Sequence, residues 1–198
     1  MDKRVIQRQR TQRYMIDAVK EIIAREGADG ITVRRVADIA GYSYATIYNY
    51  FTDVNELLWY VAADYLDEII DLISRIEQKQ TSGLQIIKET YKAYVFFYLQ
   101  NPAVYRFLFF KELGPPPAGV EAKLSTPVIA EKQAAALLKC AEEGRIKKEE
   151  IPVIGDLLTG YVHGLLLFYF SDRKQLDREG LLHKLELTID YFLGNSQV

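Results

Sequence analysis

The chain has 198 residues, of which 49% are hydrophobic and 26% charged. That is an ordinary globular balance, which excludes disordered and fibrous classes, and the length allows one good core or one core plus a module of about 50 residues. A formal net charge of -2 excludes polyanion binding by the molecule as a whole, so any nucleic-acid role must rest on local charge. Lys3, Arg4, Arg8, Arg10 and Arg13 against Asp2 alone supply such a place at the N-terminal end, where a solvated tail is the competing reading.

Met15, Ile16, Val19, Ile22 and Ile23 recur at helical spacing before Gly27, predicting a first helix over about 4–26. Thr32 precedes a short helical pattern of Val33, Val36, Ala37 and Ala40, which Gly41 stops. Ser43 is placed to cap a third helix carrying Ala45, Ile47, Tyr48 and Phe51. Asp53 and Glu56 have capping-box spacing for a fourth, which runs to about Gln78. A turn at Thr81-Ser82-Gly83 opens a fifth helix that ends at Asn101-Pro102, and a sixth runs from there to about Gly114. Three prolines make 114–119 a loop, and further helices are expected over about 123–143, 152–170 and 177–193. The expectation is an all-α chain of about nine helices, divided into a three-helix head at 1–52 and a helical bundle at 53–198.

Residues 32–51 meet the two requirements of a helix-turn-helix. The bracing helix must pack on the reading helix through small and apolar side chains, and the outer face must carry hydrogen-bonding groups. Val36, Ala37, Ala40, Ile47 and Phe51 suit the first, while Arg34, Arg35, Tyr42, Ser43, Tyr44, Thr46 and Asn49 are left for the second. The order Glu26-Gly27, Thr32-Val33, Val36-Ala37-Asp38-Ile39-Ala40-Gly41 and Thr46-Ile47-Tyr48-Asn49-Tyr50-Phe51 closely resembles the head of the TetR regulator family over about 13–60. The resemblance implies double-stranded DNA as partner, with Thr32, Tyr48 and Asn49 on phosphates and Tyr44, Ala45 and Thr46 reading bases. Arg34 and Arg35 are candidates for the backbone or a guanine edge. One position departs from the family: Asp53-Val54-Asn55 stands where members usually place a phosphate-contacting lysine. Fewer cations mean weaker binding and a shallower salt dependence.

Nine aromatic residues fall between Tyr91 and Phe110. An aromatic-lined cavity suits a hydrophobic or aromatic small molecule, and plain core packing is the alternative for each ring. Tyr91, Tyr94, Tyr98, Tyr105, Phe109 and Tyr161 are the candidate effector contacts, in the bundle where the resemblance implies an effector of unknown identity. Apolar stripes carrying Leu158, Val162 and Leu165, and Leu182, Leu185 and Ile189, suit a homodimer interface, which the resemblance also implies; an intramolecular core is the alternative.

His163 and His183 lie too far from cysteines or each other in sequence to suggest a metal or a catalytic dyad, and no phosphate loop is present. No cofactor and no enzymatic activity are expected. Cys140 is the single cysteine, the N-terminus has no apolar signal core, and the longest apolar run, near Leu165–Phe170, is far short of a bilayer span. A soluble cytoplasmic regulator is the expectation, with a helical small-molecule binder carrying a vestigial head as the competing reading.

Overall fold

The computed structural model describes residues 2–124, 127–171 and 176–194. Among these are ten α-helices and no strand: α1 Lys3–Glu26, α2 Val33–Ala40, α3 Tyr44–Tyr48, α4 Val54–Glu77, α5 Gly83–Gln100, α6 Pro102–Phe110, α7 Ala118–Leu124, α8 Val128–Glu142, α9 Ile151–Phe170 and α10 Arg178–Leu193. The all-α expectation holds. The helix expected over about 123–143 is α8, which starts later, after Pro127; an additional short helix, α7, begins at Ala118 inside the stretch expected as a loop, and 125–126 lie outside the described residues. Pro127 has no N–H to give, and it stands just before the start of α8 rather than inside a helix.

The chain forms two compact units. One comprises residues 1–67 and 101–126, the other 68–100 and 127–198. The first therefore extends beyond residue 52, taking the start of α4 and all of α6 and α7. In it, α1 packs on α2 and α6, and α2 packs on α3, around Met15, Val19, Ile23, Val36, Ile47, Phe51 and Phe107. Local chemistry sets these helices. Asp2 accepts from the Arg4 N–H, Thr32 Oγ1 from the Arg35 N–H and Ser43 Oγ from the Thr46 N–H, satisfying amides at three helix starts. Gly41 takes a left-handed φ of 73° between α2 and α3, a conformation that favours glycine. At α4, Asp53 accepts from the Glu56 N–H while the Glu56 carboxylate reaches the Thr52 N–H, one residue earlier than a capping box requires.

In the second unit α5, α8, α9 and α10 pack around Ile87, Val95, Leu137, Leu158, Leu166, Leu185 and Ile189. The start of α5 meets α8 so closely that a Cβ on Gly83 would lie 2.5 Å from the Cys140 backbone nitrogen. Glu143 accepts from the Gly83 N–H at 2.6 Å, closing that corner, and the Arg145 and Ser82 hydrogen bonds help hold its carboxyl below the usual range despite partial burial. Burial pushes the Cys140 thiol up to about 11, so it is a packing group rather than a nucleophile. Helix propensity alone would favour alanine over glycine by about 1 kcal/mol. At Gly83 the clash is with backbone, and Gly83→Ala is expected to destabilise by about 1–3 kcal/mol. At Gly155, where the nearest atom to a Cβ is a leucine methyl at 3.6 Å, Ala is expected to stabilise. Thermal denaturation of the two variants should move in opposite directions.

Residues Lys148–Phe170 form a helical stretch of 23 residues containing an 18-residue window of mean hydropathy 1.5, which meets the length and composition of a bilayer span. This corrects the sequence estimate, which counted uninterrupted apolar runs and was stopped by Thr159, Gly160, His163 and Gly164. Here one side of α9, with Ile154, Leu158, Val162 and Leu166, is buried in its own unit.

Candidate functional site

The reading surface is built from the turn between α2 and α3. Ile47 is fully buried beneath α3, leaving Ser43, Tyr44, Ala45, Tyr48 and Asn49 exposed and Thr46 half-buried. Tyr44 and Tyr48 lie one turn apart, with ring centroids 5.1 Å apart edge to face and hydroxyls 3.1 Å apart. The Tyr44 hydrogen bond, partial desolvation and the nearby Asp53 charge all push the Tyr48 phenol up, so it stays protonated and able to donate. Ser43 both caps α3 and lies 2.7 Å from Thr46 Oγ1. Thr32 caps α2 yet remains exposed, keeping its hydroxyl proton for an acceptor outside the chain.

Two residues assigned to this surface are occupied elsewhere. Arg35 forks onto the Glu26 carboxylate and donates to the Gly30 carbonyl at 3.2 Å, so it ties the end of α1 to α2. Tyr42 is half-buried, with its hydroxyl 3.5 Å from Thr11 Oγ1 in α1. Arg34 is exposed and has no partner among the described residues. The salt dependence of DNA binding is expected to separate the arginines. Arg34→Ala should reduce the slope of log affinity against log salt by about one per head, while Arg35→Ala should leave it unchanged. Anisotropy titrations at several salt concentrations measure both.

The basic N-terminal residues lie in the first turns of α1, as the expected first helix placed them. Arg8 donates to the Asn49 carbonyl at 3.2 Å and its guanidinium sits 4.8 Å from the Tyr50 ring centre, bracing the end of α3. Arg13 pairs with Asp17 and Asp64. Lys3, Arg4 and Arg10 are exposed. Composition flagged this segment as a charge cluster; the contact of Arg8 with α3, 41 residues away, had no local signal.

The second unit holds a small pocket with a cavity volume of about 70 Å³, below the roughly 300–1,000 Å³ of drug-sized ligand sites. Tyr91 and Tyr94 line it. The Gln133 amide donates to the Tyr91 hydroxyl and to the Gly155 carbonyl at 3.0 Å, and lies 3.2 Å from Thr159 Oγ1. Burial pushes the Tyr91 phenol up to about 12 against the pull of its Thr159 and Gln133 bonds. Tyr94 Oη lies 3.2 Å from His163 Nε2, and burial holds His163 below its usual value, in the neutral form.

The other proposed effector contacts lie elsewhere. Tyr98 is fully buried behind Tyr94, ring centres 4.9 Å apart; Tyr105 and Phe109 pack on each other in the first unit; Tyr161 faces a separate groove between α9 and α10. Thr90, Gln133, Thr159 and His163, which the sequence did not single out as effector contacts, also line the pocket. Thr159 and His163, four apart on an otherwise apolar helix, were the available signal.

Of the residues assigned to an interface, Leu158, Val162, Leu165, Leu185 and Ile189 are buried within the chain's own unit and Leu182 is half-buried. They form the intramolecular core. The exposed apolar residues of the same helices are Val153, Leu157, Leu167, Leu187 and Tyr191. Gly160 and Gly164 line the groove between them, with nothing within 4 Å of where a Cβ would be.

Residues 15–61 match the family described as "Bacterial regulatory proteins, tetR family". No curated protein matches the sequence. Among solved structures, a TetR family transcription regulator from Marinobacter aquaeolei VT8 shares 19% identity, covering 93% of this chain and 96% of that one, with a TM-score of 0.66. RolR in complex with the ligand resorcinol shares 17%, covering 96% and 90%, with a TM-score of 0.70. A protein of unknown function from Rhodococcus sp. RHA1 shares 17%, covering 94% and 96%, with a TM-score of 0.79. At these identities the structural likeness establishes the fold, and the matched segment is the one that carries the helix-turn-helix. Residues 15–61, the segment that carries the helix-turn-helix, thus match the tetR family of bacterial regulatory proteins, and along more than nine-tenths of its length the chain shares the fold of a solved regulator of that family.

Proposed function

We propose that this protein is a homodimeric transcriptional repressor, released from a palindromic operator when a small hydrophobic or aromatic effector enters the pocket of the second unit. In this reading the division of labour falls near residue 52, with the reading head before it and effector binding and dimerisation after it. The protein works in the cytoplasm, on double-stranded DNA and away from membranes. The observation that carries the DNA half is α3, anchored by Ile47 and braced by Arg8, with the Tyr44–Tyr48 pair facing outward. The observation that supports the effector half is a pocket with polar groups inside apolar walls, in a fold shared with RolR, whose structure holds resorcinol.

Exposed apolar residues flanking the open Gly160–Gly164 groove support a symmetric dimer, because a two-fold axis would cover both copies of that surface together. Effector binding then acts by changing the separation of the two heads, so that both half-sites are no longer met at once. Titration of the protein against its own upstream DNA, followed by anisotropy at moderate salt, tests this. Binding no tighter than to random duplex overturns it and leaves the competing reading, a helical small-molecule binder, which the lack of a lysine at 53–55 favours.

A further inference from the structure

The pocket described above carries more chemical information than its location. Its two formally charged lining residues, Glu77 and Lys132, pair with each other at 2.6 Å. A ligand bearing a charge would meet a neutralised pair and would have to break it to be compensated. The pocket's polar groups are otherwise uncharged. Thr159 and His163 stand four residues apart on α9, and Thr90 and Tyr94 four apart on α5, so each helix offers polar groups about 6 Å apart along its axis. One aromatic ring with a polar substituent on each side spans that distance.

Thr90 supplies the most specific sign. Thr90 lines the pocket, and its hydroxyl oxygen is buried with no hydrogen-bond partner among the described residues. A helical threonine ordinarily satisfies itself on the carbonyl one turn back, and an orphaned buried hydroxyl is costly. Resting on the reading of this pocket as the effector site, we propose that it takes an uncharged single-ring molecule with two separated hydroxyl-type groups, one of which hydrogen-bonds to Thr90 Oγ1.

The test uses the full chain and four probes: 1,3-dihydroxybenzene, benzoate, benzylamine and toluene. Calorimetric titration is expected to rank the diol first. Thr90→Val, which keeps the shape and removes the hydroxyl, should weaken diol binding by about tenfold, and Thr90→Ser should restore it. The melting temperature of ligand-free Thr90→Val should equal or exceed that of the wild type, which shows that the variant folds. Tighter binding of benzoate, benzylamine or toluene overturns the proposal, as does a diol affinity unchanged in Thr90→Val or the failure of every probe to bind. A parallel operator titration separates this from the effector reading. If the diol binds as described but leaves DNA affinity unchanged, the ligand class stands and the effector reading falls. If only a charged or apolar probe releases the DNA, the effector reading stands and the ligand class falls.

Discussion

Tyr48→Ala is expected to lower operator affinity by roughly tenfold at each half-site, and so by about a hundredfold for a dimer that uses both. The Tyr44–Tyr48 hydroxyl pair holds two protons. One is spent on the hydrogen bond between them, and the other is left to point away from the helix at an acceptor such as a phosphate oxygen. Because its neighbours hold the Tyr48 phenol above its ordinary value, the loss should be the same across neutral pH. Tyr48 is exposed, so its removal should leave the melting temperature nearly unchanged and the effect can be assigned to binding. Tyr48→Phe keeps the edge-to-face ring contact and deletes one hydroxyl, and should fall between wild type and Ala. Anisotropy titration against the operator and a scrambled duplex reads all three. Equal affinity of Tyr48→Ala and wild type would remove the best contact from the repressor reading and support the small-molecule binder.

What could be read beforehand follows from the range of the forces involved. Caps act within three or four residues, so Thr32, Ser43, Gly41 and Gly27 marked the helix-turn-helix boundaries in the sequence and do so in the structure. Arg35 looked available because its partner Glu26 lies across a turn, nine residues away, where no helical periodicity relates them. Arg8 and Asn49 are further apart still. The residues proposed as effector contacts divided for the same reason. Aromatic density found Tyr91 and Tyr94, but the pocket is completed by Gln133 from α8 and by Thr159 and His163 from α9, which only the packing of those helices brings together. The same density also drew in Tyr105 and Phe109, which belong to another unit's packing.

On α9 the difficulty was one of contrast. Apolar residues occupy both sides of that helix, so periodicity cannot say which stripe faces inward, and the residues chosen as an interface were the buried ones. The correction yields the second large expected effect. Leu187 on α10 is 55% exposed in the single chain, beside the groove that contains Gly160 and Gly164. In a two-fold interface each copy of this patch lies against or near its mate, so Leu187→Glu introduces two carboxylates where none has a partner. An uncompensated buried charge costs about 3–5 kcal/mol. Dissociation into monomers is the expected result by sedimentation or light scattering, with helical circular dichroism retained because Leu187 is not part of the chain's own core. Leu185→Glu, two residues away but 2% exposed, should instead unfold the second unit. Monomers of the Leu187 variant lose the gain from engaging two linked half-sites, about 10²–10⁴-fold in operator affinity. A wild-type chain that is already monomeric, or a Leu187 variant that stays dimeric, would place the dimer contact elsewhere. A monomeric variant that binds the palindrome as tightly as wild type would instead show that operator binding does not require the paired heads on which the proposed release mechanism depends.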